Sequence, residues 1–235
     1  ADLIDAAYQG TGVFTGKKYQ NFKAVASLYP EACQIVVRKD SDIETIDDLQ
    51  GKKVSVGEEE SGSELNARQI LEMSGLPEDL IKTKHLDYTD AADKLAAGKI
   101  DAFFFTAGAQ TTVVEELAKH CDIRLLNLDD KLRGKLTTAY PFYSDYTIPA
   151  GTYTGQEEDI QTVCVQSVLV ASDALDNATV KKLTKTIFAH QKGLQYATSV
   201  DLQLNESSAI KGVPIPFHPG AAAYYSERGI NVKTE

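Results

Sequence analysis

Ser61-Gly62-Ser63 stands between a strand-like run, Lys53–Val56, and a helical run, Ser63–Ser74. Backbone N–H groups at a helix start converge on whatever lies there. With two hydroxyls and a glycine that permits close approach, they suit a carboxylate. The same three residues also serve as an ordinary N-cap, and the residue types do not separate the two uses. Glu58-Glu59-Glu60 just before them read either as solvated acids of the first turn, favoured by the positive helix end, or, for Glu60, as a partner for the ammonium of an amino-acid ligand.

A second loop, Thr106–Thr111, follows the apolar run Ala102-Phe103-Phe104-Phe105. Ligands of open α/β sheets bind at the carboxyl ends of the strands, so this loop and Gly57–Ser63 are expected to face one crevice. Thr106, Ala107, Gly108 and Gln110 join the candidate contacts on that ground, while Phe105 reads as core. Tyr29 before Pro30 offers a hydroxyl for a ligand or a ring for packing, and Glu31 shares that ambiguity. Thr152 and Tyr153 lie in a stretch rich in Pro, Tyr, Gly and Thr, from 140 to 155, where they contact a ligand or brace the chain.

Catalytic chemistry finds little support. His85, His120, His190 and His218 lie far apart, without the spacing of a metal-binding pair, and read as structural or surface groups. There is no Gly-x-Ser-x-Gly elbow. Thr11–Lys18 has the look of a phosphate loop but lacks its first glycine and the hydroxyl after the lysine, so a glycine-rich turn is the better account. Cys33, Cys121 and Cys164 show no metal spacing and read as small buried hydrophobes, with a Cys33–Cys164 bridge as a minor expectation. No catalytic residue, metal site or cofactor is assigned. An enzyme on this architecture would need a base–nucleophile pair that the sequence does not supply.

The elements that must hold these groups follow from pattern. Strand-like and helical runs alternate: Lys53–Val56, Ser63–Ser74, Ile81–Leu86, Thr89–Ala97, Ile100–Thr106, Thr111–His120, Ile123–Leu128. Each parallel strand pair needs a crossover, so this βαβαβαβ series predicts an α/β lobe with a mostly parallel sheet. Ser74-Gly75-Leu76-Pro77 supplies a helix stop. A long strand from Gln161 to Ser172 is expected beside Ile35–Lys39, then a helix over 178–197, a Pro-rich turn, and a short helix over Ala221–Arg228.

The 235 residues, 43% hydrophobic, suffice for one large or two modest domains. No apolar run reaches the roughly 18 residues that a membrane span needs. The first residues, Ala1-Asp2-Leu3-Ile4-Asp5, have no basic n-region or apolar h-region, so a signal peptide has either been removed already or never existed. The formal charge of −10, with no run of Lys or Arg, argues against nucleic acid as a partner.

Several segments in order resemble the solute receptors of TRAP transporters of the TAXI class. They are Gly10-x-Gly12-x-Phe14, the passage Leu28–Ser41 followed by Asp48-Leu49-Gln50-Gly51-Lys52-Lys53-Val54, Gly57 through Gly62-Ser63, Asp101-Ala102-Phe103-Phe104, Gly108, Ile148–Tyr153, and His218-Pro219-Gly220-Ala221. The resemblance implies a type II periplasmic binding protein fold, two α/β lobes joined by a hinge of two crossing strands. Lobe one is then 1–40 with 165–235, and lobe two is 41–164, including a return loop at 137–160. A ligand cleft between lobes, closed by hinge motion, is part of that implication.

Three departures stand out. The family's N-terminal segment before the helix at Asp2 is missing, on the order of 60–70 residues if two βα units are absent, so lobe one is expected to be incomplete. The acids Glu58–Glu60 replace a loop usually rich in Pro or Gly, and Gln110 stands where the family commonly has Pro. The resemblance implies a non-catalytic, monomeric, periplasmic or otherwise extracytoplasmic binding protein. Its ligand would be a small organic anion or amino acid, glutamate or a relative first and a C4–C5 dicarboxylate such as 2-oxoglutarate next, delivered to membrane permease subunits of a TRAP transporter. The competing expectation is the ligand-binding sensor domain of a membrane receptor.

Overall fold

The computed structural model describes residues 1–198, 200, 202 and 204–235, and the chain forms two compact units. Unit 1 is Ala1–Pro30 with Val165–Glu235, and unit 2 is Glu31–Cys164. The chain passes from one to the other twice, inside strand β1 (Phe22–Arg38) and inside strand β7 (Ile160–Ser172). The first passage falls at Pro30, so residues 31–40, expected in lobe one, belong to unit 2.

The start of β1 lies well before the expected Ile35. Pro30 lies inside this strand although proline cannot donate to a ladder. It sits between two pairings: Ser27 N–H donates to the Ala209 carbonyl in unit 1, and the ladder with strand β4 (Ala102–Ala107) begins at Ala32 opposite Ala107 in unit 2.

In unit 2 the alternation appears as strand β2 (Lys53–Ser55), helix α2 (Gly62–Ser74), strand β3 (Lys82–Lys84), helix α3 (Tyr88–Ala96), then β4, helix α4 (Thr112–His120) and strand β5 (Ile123–Leu125). β2 pairs in parallel with β3 and with β4, as the crossovers require. The parallel ladder ends there. β1 is antiparallel to β4 and to β5 alike, so β4 and β5 run the same way without being neighbours.

Two elements were not foreseen in this unit. Helix α5 (Asp130–Ala139) buries only Leu132 and Leu136, too sparse a stripe to read, although Asp129 caps it by accepting from Leu132 N–H. Strand β6 (Ser144–Ile148) lies within the expected return loop and pairs antiparallel with β7 from Cys164 to Ile160. The unit 2 core includes Val36, Leu95, Phe103, Phe105, Val114 and Ile148. Phe105 is core, as its aromatic run suggested.

Unit 1 holds helix α1 (Asp2–Gln9), α6 (Asn177–Ala189), α7 (Gln191–Tyr196) and α8 (Pro219–Ser226). The single helix expected over 178–197 is broken at His190. α8 begins at Pro219, two residues before the expected start, because proline suits a first helical turn. His218 caps it: Nδ1 accepts from Gly220 N–H at 3.1 Å, while Nε2 lies 3.2 Å from the Leu175 carbonyl. This histidine is structural. The unit 1 core centres on Val25, Val180, Phe188, Phe217, Tyr224 and Tyr225.

All three cysteines are free, so the Cys33–Cys164 bridge is not formed. Burial, with the Asp145 charge adding to it, pushes the Cys164 thiol up to about 12.

Candidate functional site

Nine of the ten candidate residues lie in unit 2, and Tyr29, half-buried, lies in unit 1. Within unit 2 the strand-end loops after β2 and β4 are tied together. The Ser63 Oγ accepts from Thr106 N–H at 3.0 Å and bonds the Tyr88 hydroxyl at 2.9 Å, which in turn donates to the Thr106 carbonyl at 3.3 Å. The start of α2 is thereby fixed to the end of β4. Ser63 is 3% exposed, so its hydroxyl serves this tie.

Gly57 makes the approach feasible. It holds φ at 105°, and a Cβ there would stand 2.8 Å from the Ser63 Cβ. Ser61 is the N-cap, its Oγ accepting from Glu64 N–H at 3.1 Å. Glu64 reaches back and accepts from Glu60 N–H at 2.6 Å, a variant of the reciprocal capping box. The Glu64 carboxylate is buried and met by Arg68 at 3.0 Å, with His85 Nδ1 at 3.6 Å.

These contacts revise the reading of the acids. Glu58–Glu60 lie before the helix, exposed, and the first-turn acid is Glu64. Glu60 holds φ at 62°, with its amide spent on Glu64. What α2 offers to an anion is the backbone N–H of Gly62 and of Ser63, for which the described residues show no partner.

Around the second loop, Thr106 and Ala107 lie within β4 instead of after it, and Gly108 is buried. Gln110 is exposed with φ at 65°. Tyr153 supplies the brace that its loop position left open. Its hydroxyl accepts from Gln110 N–H at 3.0 Å and Thr111 N–H at 3.2 Å and donates to Gln34 Oε1 at 2.9 Å. Tyr153 also lines a pocket of about 340 Å³ with Lys39, Arg124 and Glu158, and none of the other candidates reaches it.

Sequence reasoning missed Glu64, Tyr88 and Gln34. The pattern Ser61-x-x-Glu64 is a capping-box signal that could have flagged the first. Gln34 is a lone amide in the apolar run Ala32–Val37, which marks a buried polar group in need of partners. Tyr88 carries no such mark, because its partners come from α2 and β4.

A model of the NMT1-like family matches residues 1–229. The chain belongs to the NMT1-like family. Solved structures resemble this NMT1-like protein at low identity. The periplasmic aliphatic sulphonate binding protein SsuA from Escherichia coli is 17% identical, with 96% of this chain and 69% of that one covered and a TM-score of 0.47. A putative periplasmic sulfonate-binding protein from Methylobacillus flagellatus is 15% identical, covering 91% and 64%, also at 0.47. An ABC transporter periplasmic binding protein from Brucella ovis with glutathione bound is 13% identical, covering 83% and 53%, at 0.50. The NMT1-like chain thus spans between about half and seven tenths of their lengths, and it shares with the last the α/β fold of periplasmic binding proteins.

Proposed function

We propose that this protein is a solute receptor that captures a small organic anion outside the cytoplasm and passes it, chemically unchanged, to a membrane transporter. The observation that carries this reading is the tie between Ser63 and Thr106, which holds the carboxyl ends of two parallel strands and the open amides of Gly62 and Ser63 at one edge of unit 2. Such an edge is where α/β folds take ligands, and a helix start favours a negative group there. The fold shared with a periplasmic binding protein from Brucella ovis supports the same reading.

The ligand is an amino acid, glutamate or a relative, ahead of a C4–C5 dicarboxylate such as 2-oxoglutarate. The exposed carboxylates Glu58–Glu60 beside the anion position favour a ligand that also carries an ammonium group. Gly62, Ser63, Thr106, Ala107, Gly108 and Gln110 line the approach within unit 2. The resemblance to TAXI receptors points to TRAP permease subunits as the recipient. The serine hydroxyls are committed to amides instead of to a base, which fits capture without turnover.

A melting series tests the proposal. Ligand at about 100 times its Kd adds about 2.7 kcal/mol of stability, which a thermal shift reads directly. The result expected is a shift with glutamate that exceeds the shift with 2-oxoglutarate. No shift with any amino acid or dicarboxylate would overturn it.

A further inference from the structure

The start of α4 gathers donors that its own turn does not use. Thr111, the residue before the helix, makes no side-chain cap bond, and its Oγ1 is buried without a partner among the described residues. Beside it the Tyr153 hydroxyl has accepted two amide protons, so its own proton goes to Gln34 Oε1. That bond settles how the Gln34 amide is turned. Its oxygen faces Tyr153, whose hydroxyl also holds the Gln110 and Thr111 amides, and its Nε2 sits on the same carbon as that oxygen. Gln34 is 2% exposed, and its Nε2 has no partner among the described residues. Buried amide donors without acceptors are rare in native proteins and call for a cause.

We propose that Gln34 Nε2, the Thr111 hydroxyl and the first turn of α4 form a subsite for one carboxylate of the bound solute. This deepens the function proposed above and rests on it: α2 takes one end of the ligand and α4 the other. The donors are neutral, and the helix start supplies only a fractional positive charge, a set matched to a single carboxylate instead of a doubly charged phosphate. The exposed Gln110 in the turn before α4 holds φ at 65°, which residues other than glycine hold at a cost. Gln34 thereby reads the ligand from the crossing strand β1.

Acetate is the probe, followed by amide NMR of the ¹⁵N-labelled protein with chloride at equal ionic strength as control. The Gln34 side-chain NH2 and the Gln110 and Thr111 amides are expected to shift saturably with acetate and not with chloride. Thr111→Val should weaken acetate at those resonances by about tenfold or more, the worth of a hydrogen bond to a charge, and leave Gly62 and Ser63 unmoved. Gln34→Glu keeps the acceptor for Tyr153 but removes the donor, and should abolish the response. If Gly62 and Ser63 shift while Gln34 and Thr111 do not, the subsite is refuted and the function stands. If only the α4 set shifts, the subsite stands and the α2 reading falls. Silence at both ends refutes both, and Gln34 protons that exchange slowly without any acetate response indicate a buried water, which also refutes it.

Discussion

The two helices that start at the same edge of unit 2 are held in opposite ways. α2 is capped from within: Ser61 takes the Glu64 amide, and Glu64 takes the Glu60 amide, all inside five residues. α4 has Thr111 in the cap position with no cap bond, and relies on Tyr153, 42 residues away, for the amides leading into it. A local cap forms with its helix at small entropic cost. A distant one exists only once tertiary structure has brought the phenol into place. The α2 cap therefore forms with its own turn, and the α4 start is only as firm as the Tyr153 contact that holds its leading amides.

Tyr153→Phe is the sharpest way to break this contrast. It keeps the ring in the core but deprives the Gln110 and Thr111 amides and the Gln34 oxygen of their common partner. Each buried group left unmet costs about 1–3 kcal/mol, so the total should exceed any single cap deletion on α2. Denaturant unfolding measures the loss, and hydrogen exchange should place its first effect at the start of α4. A loss below that of Ser61→Ala would mean the distant brace is not what holds this helix.

Gly57→Ala comes next. The left-handed φ costs about 1–3 kcal/mol for a residue with a Cβ, and the new carbon meets the Ser63 Cβ at a separation it cannot keep. The start of α2 must move away from β2, so thermal stability and the response to glutamate should fall together. A folded variant with full ligand response would show that this approach does not position the site.

How much of this could be read in the sequence follows the same local and distant division. The α2 helix, its serine cap and its Gly75 stop were visible because each signal lies within a few residues of its effect. So was the β2–α2–β3–α3–β4 order, since the period of the pattern switches at each boundary. The tie from Ser63 to Thr106, the Tyr153 brace and the insertion of β1 between β4 and β5 depend on pairings across 43, 42 and over 80 positions, which residue types alone do not encode. Helix α5 was lost for a different reason, its Leu132 and Leu136 being too few to form a stripe.

Ser63→Ala and Ser61→Ala then separate two jobs that look alike in sequence. Ser63→Ala orphans the Thr106 amide and removes one of the partners of the Tyr88 hydroxyl, and should cost about 1–3 kcal/mol of stability. Because that hydroxyl faces β4, ligand affinity should fall only as far as the α2 amides lose their alignment. Calorimetry alongside unfolding checks this. A drop in affinity of 1.5 kcal/mol or more at unchanged stability would return Ser63 to direct contact.

Ser61→Ala should have the smallest effect, because it removes a single cap bond from a helix start that keeps a second one. The Glu64 carboxylate still accepts from Glu60 N–H, and Arg68 still holds that carboxylate in place. The Glu64 amide lies in the first turn, where water can replace the lost oxygen, since Ser61 itself is only partly buried. The expected cost is about 0.5–2 kcal/mol, toward the lower end. Ser61→Gly should cost less still, a few tenths of a kcal/mol against serine, because glycine tolerates the cap position. Urea unfolding of the pair decides it. An alanine variant that loses as much as Tyr153→Phe would show that the local cap, and not the distant brace, carries this edge of the unit.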